Sequence, residues 1–262
     1  MKIHLPLLLC LLLTCLSVNA LADPASSTLV HDGITRDFLV FTPSQAASGE
    51  PLPLVFILHG GGGKADQLDH GVFYEISEMT EERGWLAILP NGVDKHWNDG
   101  RIDPDLDTAI NDVDFFDKLI DHAIAEYNAN PDRIYVTDIS NGGFMTLRLA
   151  VELSHRFAAA ASVAAPLQVF LQDMSPSQPV PVLIMNGTDD PTVPYEGGVV
   201  QGAFSGPRGE ILSTDASIQW WLDHNGCTPE HISTGMPNRA PFDGSTVEVN
   251  TYSHCTGNTE VV

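Results

Sequence analysis

The strongest chemical signal in the chain is Ser140, set in Asp138-Ile139-Ser140-Asn141-Gly142-Gly143. Arg133 to Val136 precedes it and predicts a strand, and Phe144 to Leu153 follows with the spacing of a helix. A serine on a sharp strand-to-helix turn exposes its hydroxyl and aims a helix N-terminus at the negative charge that develops beside it. Those are the needs of acyl transfer, in which a hydroxyl attacks a carbonyl. An N-capping serine followed by a flexible glycine pair has the same local signature, so the segment alone leaves both readings open.

A second segment narrows the choice. His59-Gly60-Gly61-Gly62-Gly63 follows the continuous apolar run Leu54 to Leu58, which suits a strand covered on both faces. Backbone amides near Gly61, together with that of Asn141, are in the right order to hold an oxyanion. One such donor is worth about 3–4 kcal/mol of transition-state stabilisation. A phosphate cradle is excluded because no Gly-Lys-Ser/Thr closes the run; a turn with no ligand stays open. His59 is expected to brace this loop rather than to transfer protons. The third segment, Asn186-Gly187-Thr188-Asp189-Asp190-Pro191, follows the predicted strand Val180 to Met185. An acid there would orient a histidine, and Asp190 and Asp189 are both candidates. A solvated Asp/Gly turn is the plainer alternative.

The remaining elements must hold these three turns together. Thr28 to Thr42 alternates around Asp32-Gly33 and predicts a hairpin. Leu86 to Leu89 and the small-residue run Ala158 to Ala165 predict further strands. Asp112 to Tyr127 and Ala216 to Asn225 have helical spacing, and Thr246 to Tyr252 alternates as a strand. Interleaved strands and helices indicate an α/β domain with a mainly parallel sheet.

Composition excludes several functions. A formal charge of -22 argues against nucleic acid, which needs clustered Lys and Arg. The ten histidines show no metal-ligand spacing with Cys or Glu, so neither metal nor cofactor is expected. Met1-Lys2, the apolar run Leu5 to Leu16 and Ala20-Leu21-Ala22 read as a secretory signal over residues 1–22. Residues 23–262 are then expected to be one secreted domain, monomeric and free of the membrane after cleavage. Cys10 and Cys15 would leave with the signal. Cys227 and Cys255 would remain where disulfides persist, as a bridge or as two buried thiols.

The chain resembles the family of extracellular polyhydroxybutyrate depolymerases and related feruloyl and acetylxylan esterases, of the α/β-hydrolase fold. The matching pieces are Asp32 to Arg36, Leu58 to Gly63, Trp97-Asn98-Asp99-Gly100-Arg101, Asn111-Asp112-Val113, Pro131 to Met145, Gly187 to Gly198 and Asn225-Gly226-Cys227. The resemblance implies Ser140 as nucleophile, Asp190 as triad acid and Trp97 beside the substrate, although a core tryptophan fits Trp97 equally well. It implies an ester substrate, either a hydroxyalkanoate polyester oligomer or a feruloylated or acetylated plant polysaccharide. Two departures matter. The family usually has glycine where this chain has Asp138, so a slower site is expected, accelerated by Asp138→Gly. The family histidine lies in a Gly-rich segment beyond the region of Cys255, and the sequence ends at Val262 before one. The expectation is therefore a sheet lacking its last strand and helix, and an impaired enzyme in which His254 is a poor substitute base. A catalytically inert binding domain, and a peptidase or acyltransferase on the same scaffold, are the alternatives.

Overall fold

A computed structural model describes residues 23–67, 70–202 and 206–262; the expected signal, with Cys10 and Cys15, lies outside them. The Asp32-Gly33 turn joins β1 (Ala25–His31) to β2 (Ile34–Phe41) as an antiparallel hairpin. Both turn residues have positive φ, which is the geometry that a two-residue hairpin turn demands. The chain continues through β3 (Leu52–Ile57), α1 (His70–Arg83), β4 (Leu86–Pro90), α2 (Asp112–Tyr127), β5 (Ala129–Ile139), α3 (Asn141–Glu152), β6 (Ala159–Val163) and β7 (Val182–Met185). The sheet order is β1-β2-β4-β3-β5-β6-β7, and β4, β3, β5, β6 and β7 run parallel. It is an α/β fold with a mostly parallel sheet flanked by helices.

Apolar runs without alternation become the central strands because both of their faces are covered. Leu54, Phe56, Leu86 and Ile88 are fully buried. On α2, Phe115, Phe116, Leu119, Ile120 and Ala123 recur at helical spacing and are buried as well. Each large side chain so buried contributes about 1.5–3 kcal/mol. Asn111 caps this helix by accepting from the Asp114 amide, and Asn128 ends it in the left-handed conformation.

One buried ion pair ties the hairpin to α2 and to the loop that approaches Ser140. Asp112 Oδ1 accepts from Arg36 at 2.8 Å, and its Oδ2 accepts from the Asn98 amide at 2.7 Å. Neither side chain meets appreciable solvent. Asp112→Ala would leave the guanidinium buried and unpaired, so a loss of about 3–5 kcal/mol is expected in urea denaturation.

Two small hairpins stand apart from the sheet. The first, β8 (Gly198–Gly202) with β9 (Gly206–Ile211), packs through Val200 and Ile211 on Phe144 and Ala165. After α4 (Thr214–His224) comes the second, β10 (Ile232–Gly235) with β11 (Glu248–Thr251). The strand expected over Thr246 to Tyr252 is thus real but belongs to this exposed hairpin, because its partner is β10 rather than the sheet. Beside β7, Val261 pairs in parallel with Val182, so residues 260–262 take the sheet position that the sequence was expected to leave empty. Cys227 and Cys255 form a disulfide. No described helix is long and apolar enough to cross a membrane.

Candidate active site

Ser140 joins β5 to α3 with φ 57° and ψ −125°, a region L-residues rarely occupy. Its side chain makes no capping hydrogen bond, so the plain N-cap reading fails. What holds the strained turn is packing on both sides. The Ser140 amide donates to Val163 O at 2.9 Å, and its carbonyl accepts from Phe144 N at 2.8 Å. A Cβ on Gly142 would lie 2.7 Å from His59 O and 2.8 Å from Asp138 Oδ2. One on Gly143 would lie 2.9 Å from Ala165 Cβ. The glycine pair is therefore required by close approach, not by flexibility.

The tetraglycine loop faces this turn. The Cβ direction of Gly60 ends 3.8 Å from Ser140 Cβ, and that of Gly61 ends 3.5 Å from Asn141 Cβ. The amides of Gly62 and Gly63 are engaged by the Lys95 and Gly60 carbonyls. Those of Gly61 and Asn141 take no protein acceptor among the described residues. His59 braces the loop as expected. Its Nδ1 donates to Gly60 O at 2.8 Å and its Nε2 accepts from the Gly92 amide at 2.9 Å. Burial holds its pKa below that of an ordinary histidine, consistent with a neutral ring using both nitrogens.

Trp97 requires a correction. It is 0% exposed and does not border the cleft. Its indole donates to His59 O at 2.9 Å, and its main chain makes two hydrogen bonds with the Asn141 side chain, at 2.8 and 2.9 Å. Asn141 also donates to Asp99, which is paired with Arg101. This side-chain role of Asn141 has no sequence signal, because its partners lie some forty residues away. The tryptophan locks the start of the tetraglycine loop to the serine turn.

Asp190 leaves the carboxyl end of β7, two strands across from Ser140, on the side of a parallel sheet where ligands bind. Its Oδ1 accepts from the amides of Thr192 and Val193 at 2.8 and 2.9 Å, which orients the carboxylate. Asp189 beside it is exposed. No described histidine hydrogen-bonds to Ser140 or Asp190. His254 is exposed just after β11, where its carbonyl accepts from Thr228; His224 stacks on Trp220, and His231 lies against Tyr252. Asp138 points back under the turn. Its Oδ1 accepts from Ile139 N at 2.6 Å, while its Oδ2 is shielded from solvent with no partner. That burial pushes its carboxyl up to about 7. Among the described residues no cluster of His, Cys, Asp or Glu is arranged to hold a metal.

A sequence model of the prolyl oligopeptidase family matches residues 104–180. A protein of Nocardia uniformis subsp. tsuyamanensis named as an esterase, NocK, is 30% identical over 237 residues, spanning 86% of this chain and 67% of its own. Feruloyl esterase B of Piromyces equi is 28% identical over 233 residues; the match takes in 86% of this chain but only 40% of that protein. Among solved structures, a thermostable esterase superposes with a TM-score of 0.55 at 20% identity, over 77% of this chain and 52% of its own. The chain thus spans about half of that structure, with which it shares the fold.

Proposed function

Because the chain belongs to the esterase family, carboxylic ester hydrolases on the α/β-hydrolase fold, we propose that Ser140 is its acyl-accepting nucleophile. The observation that carries this reading is the strained backbone of Ser140, packed against the Gly60-Gly61 loop, with the Gly61 and Asn141 amides beside it lacking acceptors. Asp190 is the acid that orients a histidine, and the Gly61 and Asn141 amides hold the oxyanion. Ser140 Oγ adds to the ester carbonyl as its proton leaves to a histidine that Asp190 would orient or, without one, to water, and the tetrahedral intermediate expels the alcohol, which takes up that proton. Water then adds to the acyl-serine and releases the acid. With no described histidine on Ser140, turnover by this chain is low. The substrates are hydroxyalkanoate-type esters or feruloyl and acetyl esters of plant polysaccharide. Secretion, with residues 1–22 as signal, goes with the Cys227–Cys255 bridge, since such bonds persist in oxidising compartments.

A second reading, amide hydrolysis, is favoured by the match to the prolyl oligopeptidase family model. Both are tested by prolonged exposure to a fluorophosphonate, followed by acyl transfer from matched esters and anilides. The oxyanion donors alone sustain roughly 10³–10⁴-fold acceleration over water. The expected result is one adduct per chain, mapped to Ser140 and lost in Ser140→Ala, with acylation by esters only. Adducts elsewhere, or equal labelling of the alanine variant, would remove Ser140 from its role. Acylation by anilides would favour the peptidase.

A further inference from the structure

The segment between β4 and Trp97 is folded tightly onto the tetraglycine loop. Asp94 and Lys95 both adopt positive φ, 48° and 66°, although neither is glycine. Lys95 O accepts from Gly62 N at 2.9 Å, which fixes this strained turn against the loop. Gly92 leaves it no slack, since a Cβ there would lie 2.3 Å from His96 O. The residue so displayed is His96.

The protonation pattern of the His96 ring is set by its surroundings. Nδ1 lies 2.9 Å from Asp94 O, and a carbonyl can only accept, so Nδ1 carries the hydrogen. In the neutral ring, Nε2 is then a bare acceptor. The Cβ direction of Gly61 ends 3.2 Å from Cδ2 of this ring, 3.4 Å from Nε2 and 3.5 Å from Asn141 Cβ. The Nε2 edge therefore borders the same small space as Gly61 and Asn141, whose amides are two unused donors. Nε2 has no donor among the described residues, in contrast to His59, whose two nitrogens are both engaged. On its outer side the partly exposed ring lines a small cleft with Val93, Asn98, Leu106 and Ile110 and with four carboxyl-bearing residues, Asp94, Asp105, Asp107 and Asp112.

We propose that His96 is a specificity-determining residue whose Nε2 accepts a hydrogen bond from a hydroxyl of the ester, so that the site selects hydroxylated esters over their deoxy counterparts. The inference rests on the reading of Ser140 and the Gly61 loop as the hydrolytic site. Two donors for a carbonyl oxygen and one acceptor for a hydroxyl make a pattern that a plain acyl ester satisfies only in part. The hydroxyl belongs either to the acyl chain or to the alcohol.

Binding is measured on the full chain carrying Ser140→Ala, so that no turnover intervenes. Methyl 3-hydroxybutyrate is compared with methyl butyrate, and glyceryl monobutyrate with propyl butyrate, while ¹⁵N NMR follows the Nε2 resonance of His96. One hydrogen bond at a partly exposed site predicts about tenfold tighter binding of the hydroxylated member of one pair, with movement of Nε2. The pair that responds identifies which side carries the hydroxyl. His96→Phe should bring the ratio near one, and His96→Gln, which keeps an acceptor, should retain part of it. Equal affinities in both pairs, or a ratio indifferent to His96→Phe, would overturn the proposal. Should the Phe variant fail to fold, an unmoved Nε2 resonance overturns it just as well. Failure of the hydrolase reading appears separately, as a missing fluorophosphonate adduct on Ser140.

Discussion

The purified 262-residue chain is expected to hydrolyse p-nitrophenyl butyrate about a millionfold more slowly than a serine hydrolase with an intact triad. A serine hydroxyl is a weak nucleophile until an adjacent base takes its proton. The strained turn, the free amides and the oriented Asp190 carboxylate are assembled, yet none of them accepts that proton. Asp190 Oδ1 is occupied by the Thr192 and Val193 amides, and the role proposed for it is to hold an imidazole rather than to replace one. Measured kcat/KM decides the matter. Brisk turnover that vanishes in Ser140→Ala would mean that a base does reach the hydroxyl, and the proposed impairment would be wrong.

Asp138→Asn is expected to stabilise the protein strongly at neutral and alkaline pH and hardly at all in acid. In the unfolded chain the aspartate ionises near its ordinary 3.8, whereas the fold retains its proton up to about 7 because the carboxyl is buried. Between these values the folded state binds more protons than the unfolded one, so stability falls as pH rises. Below the lower value both states are protonated and the penalty is absent. Above the upper value it is complete, on the order of 4 kcal/mol. The Ile139 amide offsets part of this by donating to Oδ1, and an asparagine keeps that acceptor. Urea denaturation of both proteins at about pH 4 and about pH 8 gives the answer; equal differences at the two values would refute the buried acid. An anion at this position also lies under the serine turn, so the same substitution should speed fluorophosphonate labelling in alkali.

Much of the site was legible because its demands are local. A strand, then Ser140 with a glycine pair, then a helix is a covalent sequence of events, and the observed backbone follows it. The tetraglycine loop and His59 were legible for the same reason, since they sit directly after a buried strand. Trp97 was not. An aromatic residue beside Asn98-Asp99-Gly100 has one signature whether it faces a ligand or the core, and only the position of Asn141, far along the chain, decides. His96 was invisible for a related reason, because its neighbour Gly61 is brought to it by the sheet. The β8–β9 hairpin was missed because Gly198, Gly202, Gly206 and Gly209 interrupt the alternation that marks a strand. The segment Thr246 to Tyr252 alternates properly, but alternation cannot name the partner strand, and that partner proved to be β10.

The backbone of Ser140 also bears on how such a domain would age once selection for its chemistry relaxed. A residue held in so rare a conformation burdens the folded state by about 1–3 kcal/mol. Glycine at the same position would relieve that burden and remove the proposed nucleophile in one step. Loss of the side chain from this turn is therefore downhill in folding free energy, whereas keeping it is uphill.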